Sequence, residues 1–204
     1  MAEVERPGAS LRRHVAETTV DPEASPAERV RALCDEQGEA SVAGGCAEIL
    51  RSGSWDDRDL LVVLGGRHAV GEYSRDEPAQ ADQSYWAPTW AARGLLYAWS
   101  DTAAPAVVAA LTHEAWRVRE MAAKVVAARE IGSAGDAVGE LADDPVPRVR
   151  AAAARALRMV GEFEHASAAL ALAHDSDVQV RVRGEQAVAG MSARLDRDLF
   201  SDEP

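Results

Sequence analysis

The sequence predicts an all-α protein, a right-handed α-solenoid built of helical hairpins. Three observations predict it. Ala occurs 42 times in 204 residues while aromatics are only 5%. Ala is the best helix former but fills little volume, so such a core needs helices that approach closely. Second, the chain repeats itself at an offset of 31: Asp144, Val149, Arg150, Ala156 and Leu157 map onto Asp175, Val180, Arg181, Ala187 and Val188. One step back lie His113, Val118, Arg119, Ala122, Val125 and Val126, and another step gives a fainter Asp82, Ala87, Ala91 and Leu95. Third, Val149, Ala152, Ala153, Ala156, Leu157 and Val160 follow helical spacing, and no stretch sustains period-2 alternation.

Taken in order, residues 1–24 read as a flexible tail. They hold no apolar h-region, which predicts no signal peptide. Residues 25–64 read as an N-terminal helical cap. Ser25-Pro26-Ala27-Glu28 is a capping box with Pro at N1, and its helix stops near Gly38. A second helix over about 40–51 stops at Gly53, and Ser54-Trp55-Asp56-Asp57 caps a third through Leu64. Residues 65–84 read as a long loop, with Gly65-Gly66 as a helix C-cap. Residues 85–200 read as repeats with a C-terminal capping helix, three of them clear over about 103–190. Each repeat pairs a short first helix (105–112, 134–142, 164–174) with a longer second one. Gly132 and Gly161 follow second helices, where a left-handed residue is expected. Pro145 and Pro147 stand at a second-helix start, where a missing N–H costs nothing. Residues 201–204 read as a second tail.

The pattern D-x-x-x-x-V-R-x-x-A-x-x-A-L in Asp144, Val149, Arg150, Ala153, Ala156 and Leu157 resembles HEAT-like, armadillo-like repeats of the phycobilisome-lyase type. The resemblance covers roughly residues 82–190. The unit at 175–188 departs at Gly184 and Val188, the unit at 113–126 has His113 for Asp and Val125 for Ala, and the earliest unit has Pro88 for Arg. The resemblance implies a ladder between neighbouring units carried by Asp144, Arg150, Asp175 and Arg181. It also implies that the second helices line a concave surface where partners sit.

Charge and motifs narrow the function. Lys+Arg is 22 against Asp+Glu 34, a net −12, which disfavours a generic nucleic-acid coat or an anionic-membrane binder. The longest strongly apolar run, Leu60 to Leu64, is too short to span a bilayer. Cys34 and Cys46 form no disulfide framework and read as core thiols of a reducing compartment, so the expected location is the cytoplasm. Of the basic residues, 21 are Arg and one is Lys, a bias that with the abundant Ala suggests a bacterial genome rich in GC. The sequence holds no P-loop, no dinucleotide fingerprint, no nucleophile elbow and no His or Cys cluster at metal-ligand spacing. No cofactor, metal or catalytic residue is expected. The Asp56–Asp59 run reads as dipole complementation at a helix start. His113 reads as a substitute for the turn Asp.

Off the apolar stripe, two columns recur at offset 31: Trp86, Arg117, Arg148, Gln179, and Arg93, Lys124, Arg155, Gln186, with Arg158 on the second face. Trp86, Trp90, Arg93 and Tyr97 add an aromatic stripe. Two readings stay open. The arginines are a solvated face and the aromatics pack under the 65–84 loop, or together they form a recognition groove, since Trp, Tyr and Arg dominate binding energy. The second reading makes the chain a non-enzymatic scaffold that binds another protein through a peptide or acidic segment. Two alternatives follow from the resemblance: a nucleic-acid enzyme similar to HEAT-like alkylpurine DNA glycosylases, and a phycobilin-lyase-like accessory protein.

Overall fold

The computed structural model describes residues 21–73 and 84–199. Among the described residues there are eleven α-helices and no strand. The expected tails at 1–24 and 201–204 lie outside them, apart from residues 21–24. The chain divides into two compact units, Met1–Ala103 and Ala104–Pro204.

The first unit holds α1 (Pro26–Gln37), α2 (Glu39–Ser52), α3 (Arg58–Gly65), α4 (Arg67–Tyr73) and α5 (Trp86–Gly94). The Ser25 capping box forms in full: Ser25 Oγ accepts from Glu28 N at 3.3 Å and Ser25 N donates to Glu28 Oε2 at 2.8 Å. Hydrogen bonding from the Ser25 side chain, and then from its backbone amide, holds the Glu28 carboxyl below its ordinary range. Gly38 and Gly53 stop α1 and α2 at φ +87° and +67°. The stretch read as a loop over 65–84 instead carries α4, and residues 74–83 lie outside the described set. Helix α5, grouped by its sequence with the repeats, belongs to the first unit, where it packs on α2 and α3.

Buried Arg29 organises this unit. Its Nε donates to Val63 O at 2.6 Å and its Nη2 to Leu64 O at 3.4 Å, while Nη1 reaches Pro22 O and Ala24 O. The last carbonyls of a helix lack intrahelical donors, and a guanidinium at α3's end supplies them. Gly66, at φ +58°, is required there twice over: a Cβ would stand 2.7 Å from Arg29 Cζ and from Pro22 O.

The second unit holds α6 (Ala104–Ala110), α7 (Trp116–Arg129), α8 (Gly135–Glu140), α9 (Pro147–Val160), α10 (Ala166–Ala173) and α11 (Val178–Leu195). Helices α7, α9 and α11 begin 31 residues apart. Helix α9 packs between α7 and α11, and the short helices α6, α8 and α10 each pack on the long helix that follows. Val118, Val149 and Val180 hold equivalent places and are fully buried. Single 3-10 turns lead into α8 and α10.

The expected left-handed glycines are not left-handed. Glu130, at φ +52°, takes that conformation after α7, two residues before Gly132. Gly161 is extended at φ −66°. It is needed for space, because a Cβ there would meet Leu157 O at 2.6 Å and Met191 Sδ at 3.0 Å.

Candidate functional site

Each turn entering α7, α9 and α11 is closed by one side chain that accepts from the amide two residues on: His113 Nδ1 from Ala115 N (3.0 Å), Asp144 Oδ1 from Val146 N (2.8 Å) and Asp175 Oδ1 from Asp177 N (2.7 Å). The arginine of the preceding repeat then grips the aspartate. Arg119 donates to Asp144 at 2.7 and 3.1 Å, and Arg150 to Asp175 at 2.6 and 3.0 Å. The rung pairs are therefore 119–144 and 150–175. Arg150 meets Asp144 only at its backbone oxygen, at 2.8 Å, and Arg181 likewise takes Asp175 O, at 2.6 Å. The Arg150 guanidinium holds the Asp175 carboxyl below its ordinary range.

The aromatic stripe belongs to the first unit, and of its members Trp90 faces inward. Trp90 is buried, with its ring edge-on to Trp55 at 5.6 Å and stacked on Trp86 at 5.9 Å. Arg93 donates to Leu64 O at 2.6 Å, and burial pulls its guanidinium below the ordinary arginine value. Trp90 and Arg93 thus serve packing and α3's carbonyl end, not a solvent-facing groove. Tyr97 lies beyond α5, which ends at Gly94, so the helical spacing that joined it to Trp86 does not extend so far. Trp86 and Tyr97 are half-buried.

In the second unit the first column gathers around Trp116, which the sequence reading passed over. Arg117 lies 4.3 Å and Arg148 5.5 Å from its ring centroid. Glu120, buried in spite of its charge, accepts from Lys124 Nζ at 2.8 Å and from Arg148 Nη2 at 3.1 Å. Lys124 and Arg148 are therefore already answered by an internal carboxylate. Glu120 sits in register with Ala151 and Val182. An acid at a small apolar position was the one available signal.

The second column opens into a cleft of about 390 Å³ on α7, α9 and α11, lined by Lys124, Ala127, Ala128, Arg155, Arg158, Met159, Arg183 and Gln186. Sequence offset places Lys124, Arg155 and Gln186 together and helical spacing adds Arg158; Arg183 joins them one turn before Gln186. Among the described residues no carboxylate lines the cleft. Among the described residues Arg155 and Arg158 have no hydrogen-bond or ion-pair partner. The Arg158 stem lies over Gly190, whose missing Cβ would stand 2.6 Å from Arg158 Cγ. Arg183 Nη1 donates to Gln186 Oε1 at 2.8 Å. Such an array can accept an anion by charge-assisted hydrogen bonds.

Other polar groups are internal. His165 is buried, accepts Glu162 N–H at Nδ1 (2.8 Å) and so turns a protonated Nε2 toward Asp136 Oδ1 at 3.0 Å. Gly135 makes room for that ring. Cys46 is fully buried and its thiol is pushed up to about 12. Among the described residues no group of three or more His, Cys, Asp or Glu could hold a metal ion, and no helix is long and apolar enough to cross a membrane. Comparison with family models, with curated proteins and with solved structures gave no match to this chain.

Proposed function

We propose that the chain is a HEAT-like α-solenoid that works as a non-enzymatic protein-binding module, docking an acidic segment of a partner protein in the cleft on α7, α9 and α11. One observation carries this reading: Arg155, Arg158 and Arg183 line a cleft that no carboxylate among the described residues lines, in a chain of net charge −12. Lys124 and Arg148, by contrast, are answered by Glu120. Leaving the guanidinia of Arg155 and Arg158 unanswered favours an anionic partner and steers its approach. The repeat register and the Arg–Asp rungs support the solenoid reading, in which this face is the inner one.

The test is a titration of a fluorescein-labelled octaglutamate peptide with the full chain, followed by anisotropy. Arg155→Glu/Arg158→Glu should weaken binding at least about tenfold, or 1.4 kcal/mol. Exposed Arg31→Glu, in the first unit, should leave it unchanged. Salt should weaken the wild-type interaction, since exposed charges are screened beyond roughly 8 Å at physiological ionic strength. Equal binding by wild type and the double variant would refute the proposal.

A further inference from the structure

The cleft carries more positive charge than one carboxylate can answer. Lys124 is matched by Glu120 at 2.8 Å, which leaves Arg155, Arg158 and Arg183. A side-chain carboxylate brings one negative charge and two oxygens. A phosphomonoester brings nearly two charges and three terminal oxygens at neutral pH. A guanidinium fork suits either group, but three forks around one anion need the third oxygen.

Two of the three arginines are held in place before any ligand arrives. Arg183 is tethered to Gln186 Oε1 at 2.8 Å. Arg158 is laid across α11 because Gly190 has no side chain, and a Cβ there would come within 3.0 Å of its Nε. Ordering the donors beforehand removes part of the entropic cost of binding. Beside them Ala127, Ala128 and Met159, the last 39% exposed, give the cleft an apolar flank.

We infer that the segment received here presents a phosphorylated side chain next to an apolar residue, with Arg155, Arg158 and Arg183 gripping the phosphate and Gly190 as the positioning residue for Arg158. The inference rests on the reading of this cleft as the docking site.

Three fluorescein-labelled peptides test it against the full chain: Gly-Leu-Xaa-Leu-Gly with phosphoserine, aspartate or serine at Xaa. The phosphopeptide should bind at least about tenfold tighter than the aspartate peptide. It should weaken severalfold between pH 7.5 and 5.5, as the phosphate loses its second charge near pH 6. The charged groups that line the cleft are Lys124, Arg155, Arg158 and Arg183. Gly190→Ala and Arg158→Gln should each weaken the phosphopeptide severalfold with helicity unchanged. Millimolar inorganic phosphate should displace it. Equal binding of the phosphoserine and aspartate peptides, both lost in Arg155→Glu/Arg158→Glu, overturns the phosphate inference and leaves the acidic-segment reading standing. A phosphopeptide that binds no tighter than inorganic phosphate overturns the inference of a segment in favour of a free small anion. Failure of all three peptides and of octaglutamate removes both readings.

Discussion

Arg150 joins three groups at once: both oxygens of Asp175 and the backbone oxygen of Asp144. Its side chain is 15% exposed and that of Asp175 10%, so the pair is well shielded from solvent. Arg150→Ala strands a nearly buried carboxylate and should cost roughly 1–3 kcal/mol in urea unfolding. Arg150→Lys should recover little, because one ammonium cannot span both oxygens. By contrast Arg148, 68% exposed, should contribute little to stability through Glu120. His113 turns the same corner with a neutral ring. Burial pulls its imidazole below the ordinary histidine value, adjacent Glu114 works against that, and Arg119 reinforces it. The fold therefore favours uncharged His113. Its contribution is complete above the unfolded value of about 6.5 and is lost as pH falls below it. Asp175 adds a second loss, at the lower pH where its carboxyl takes up a proton. Unfolding free energy measured from pH 7.5 to 5 should thus fall for wild type. In His113→Asp, which keeps an acceptor for Ala115 N–H and stays charged in this range, that part of the fall should vanish.

Where helices approach most closely, one methyl group decides the outcome. A Cβ at Gly184 would lie 2.2 Å from Leu172 C and 2.3 Å from Ala173 N, both backbone atoms of α10. The departure from Ala at this repeat position is the signature of that contact. Gly184→Ala should destabilise by roughly 1–3 kcal/mol even though Ala favours helix. Gly44, inside α2 with nothing within 4 Å of a Cβ, is the opposite case. Gly44→Ala should stabilise by about 0.5–1 kcal/mol. Thermal melts of the two variants should therefore move in opposite directions. Helix positions were legible in the sequence because caps and periodicity are local: Ser25, Gly38, Gly53 and the 31-residue step each mark a boundary. Helix α4 was not, because its seven residues, Arg67–Tyr73, lie in a stretch without a sustained apolar stripe. Arg93 was misplaced for a related reason. Helical spacing gives its face, but only the packing of α5 on α3 shows that Leu64 O lies under it.

At the scale of the whole molecule the two units differ in how they build a core. The first buries large side chains such as Leu61, Leu64 and Trp90 and locks them with Arg29, an irregular solution with no repeat to announce it. The second stacks Ala and Val at fixed register, and so Lys124, Arg155 and Gln186 of its cleft can be read from a single offset. Arg183 and Glu120 broke that register and stayed hidden. The rungs were hidden in part too, since Arg119 and Asp144 are 25 residues apart while the repeat is 31. Those two numbers together make the chain's length an adjustable quantity. If residues 144–174 were duplicated after His174, Arg150 would meet the copied Asp144 twenty-five residues on, and the copied Arg150 would meet Asp175. Three places would need correction: the copied Ala153 would face α10 where Gly184 now leaves room, the copied Met159 would stand where Gly190 now accommodates Arg158, and the copied His165 would meet Ala166 where Gly135 now makes room. A duplication carrying Gly at the copied 153 and 159 positions and at 166 should keep the helicity per residue and unfold with a steeper urea dependence, in proportion to the added surface. The same duplication without those glycines should be the less stable of the two. Growth by whole turns of sequence, corrected by three glycines, is thus open to this protein.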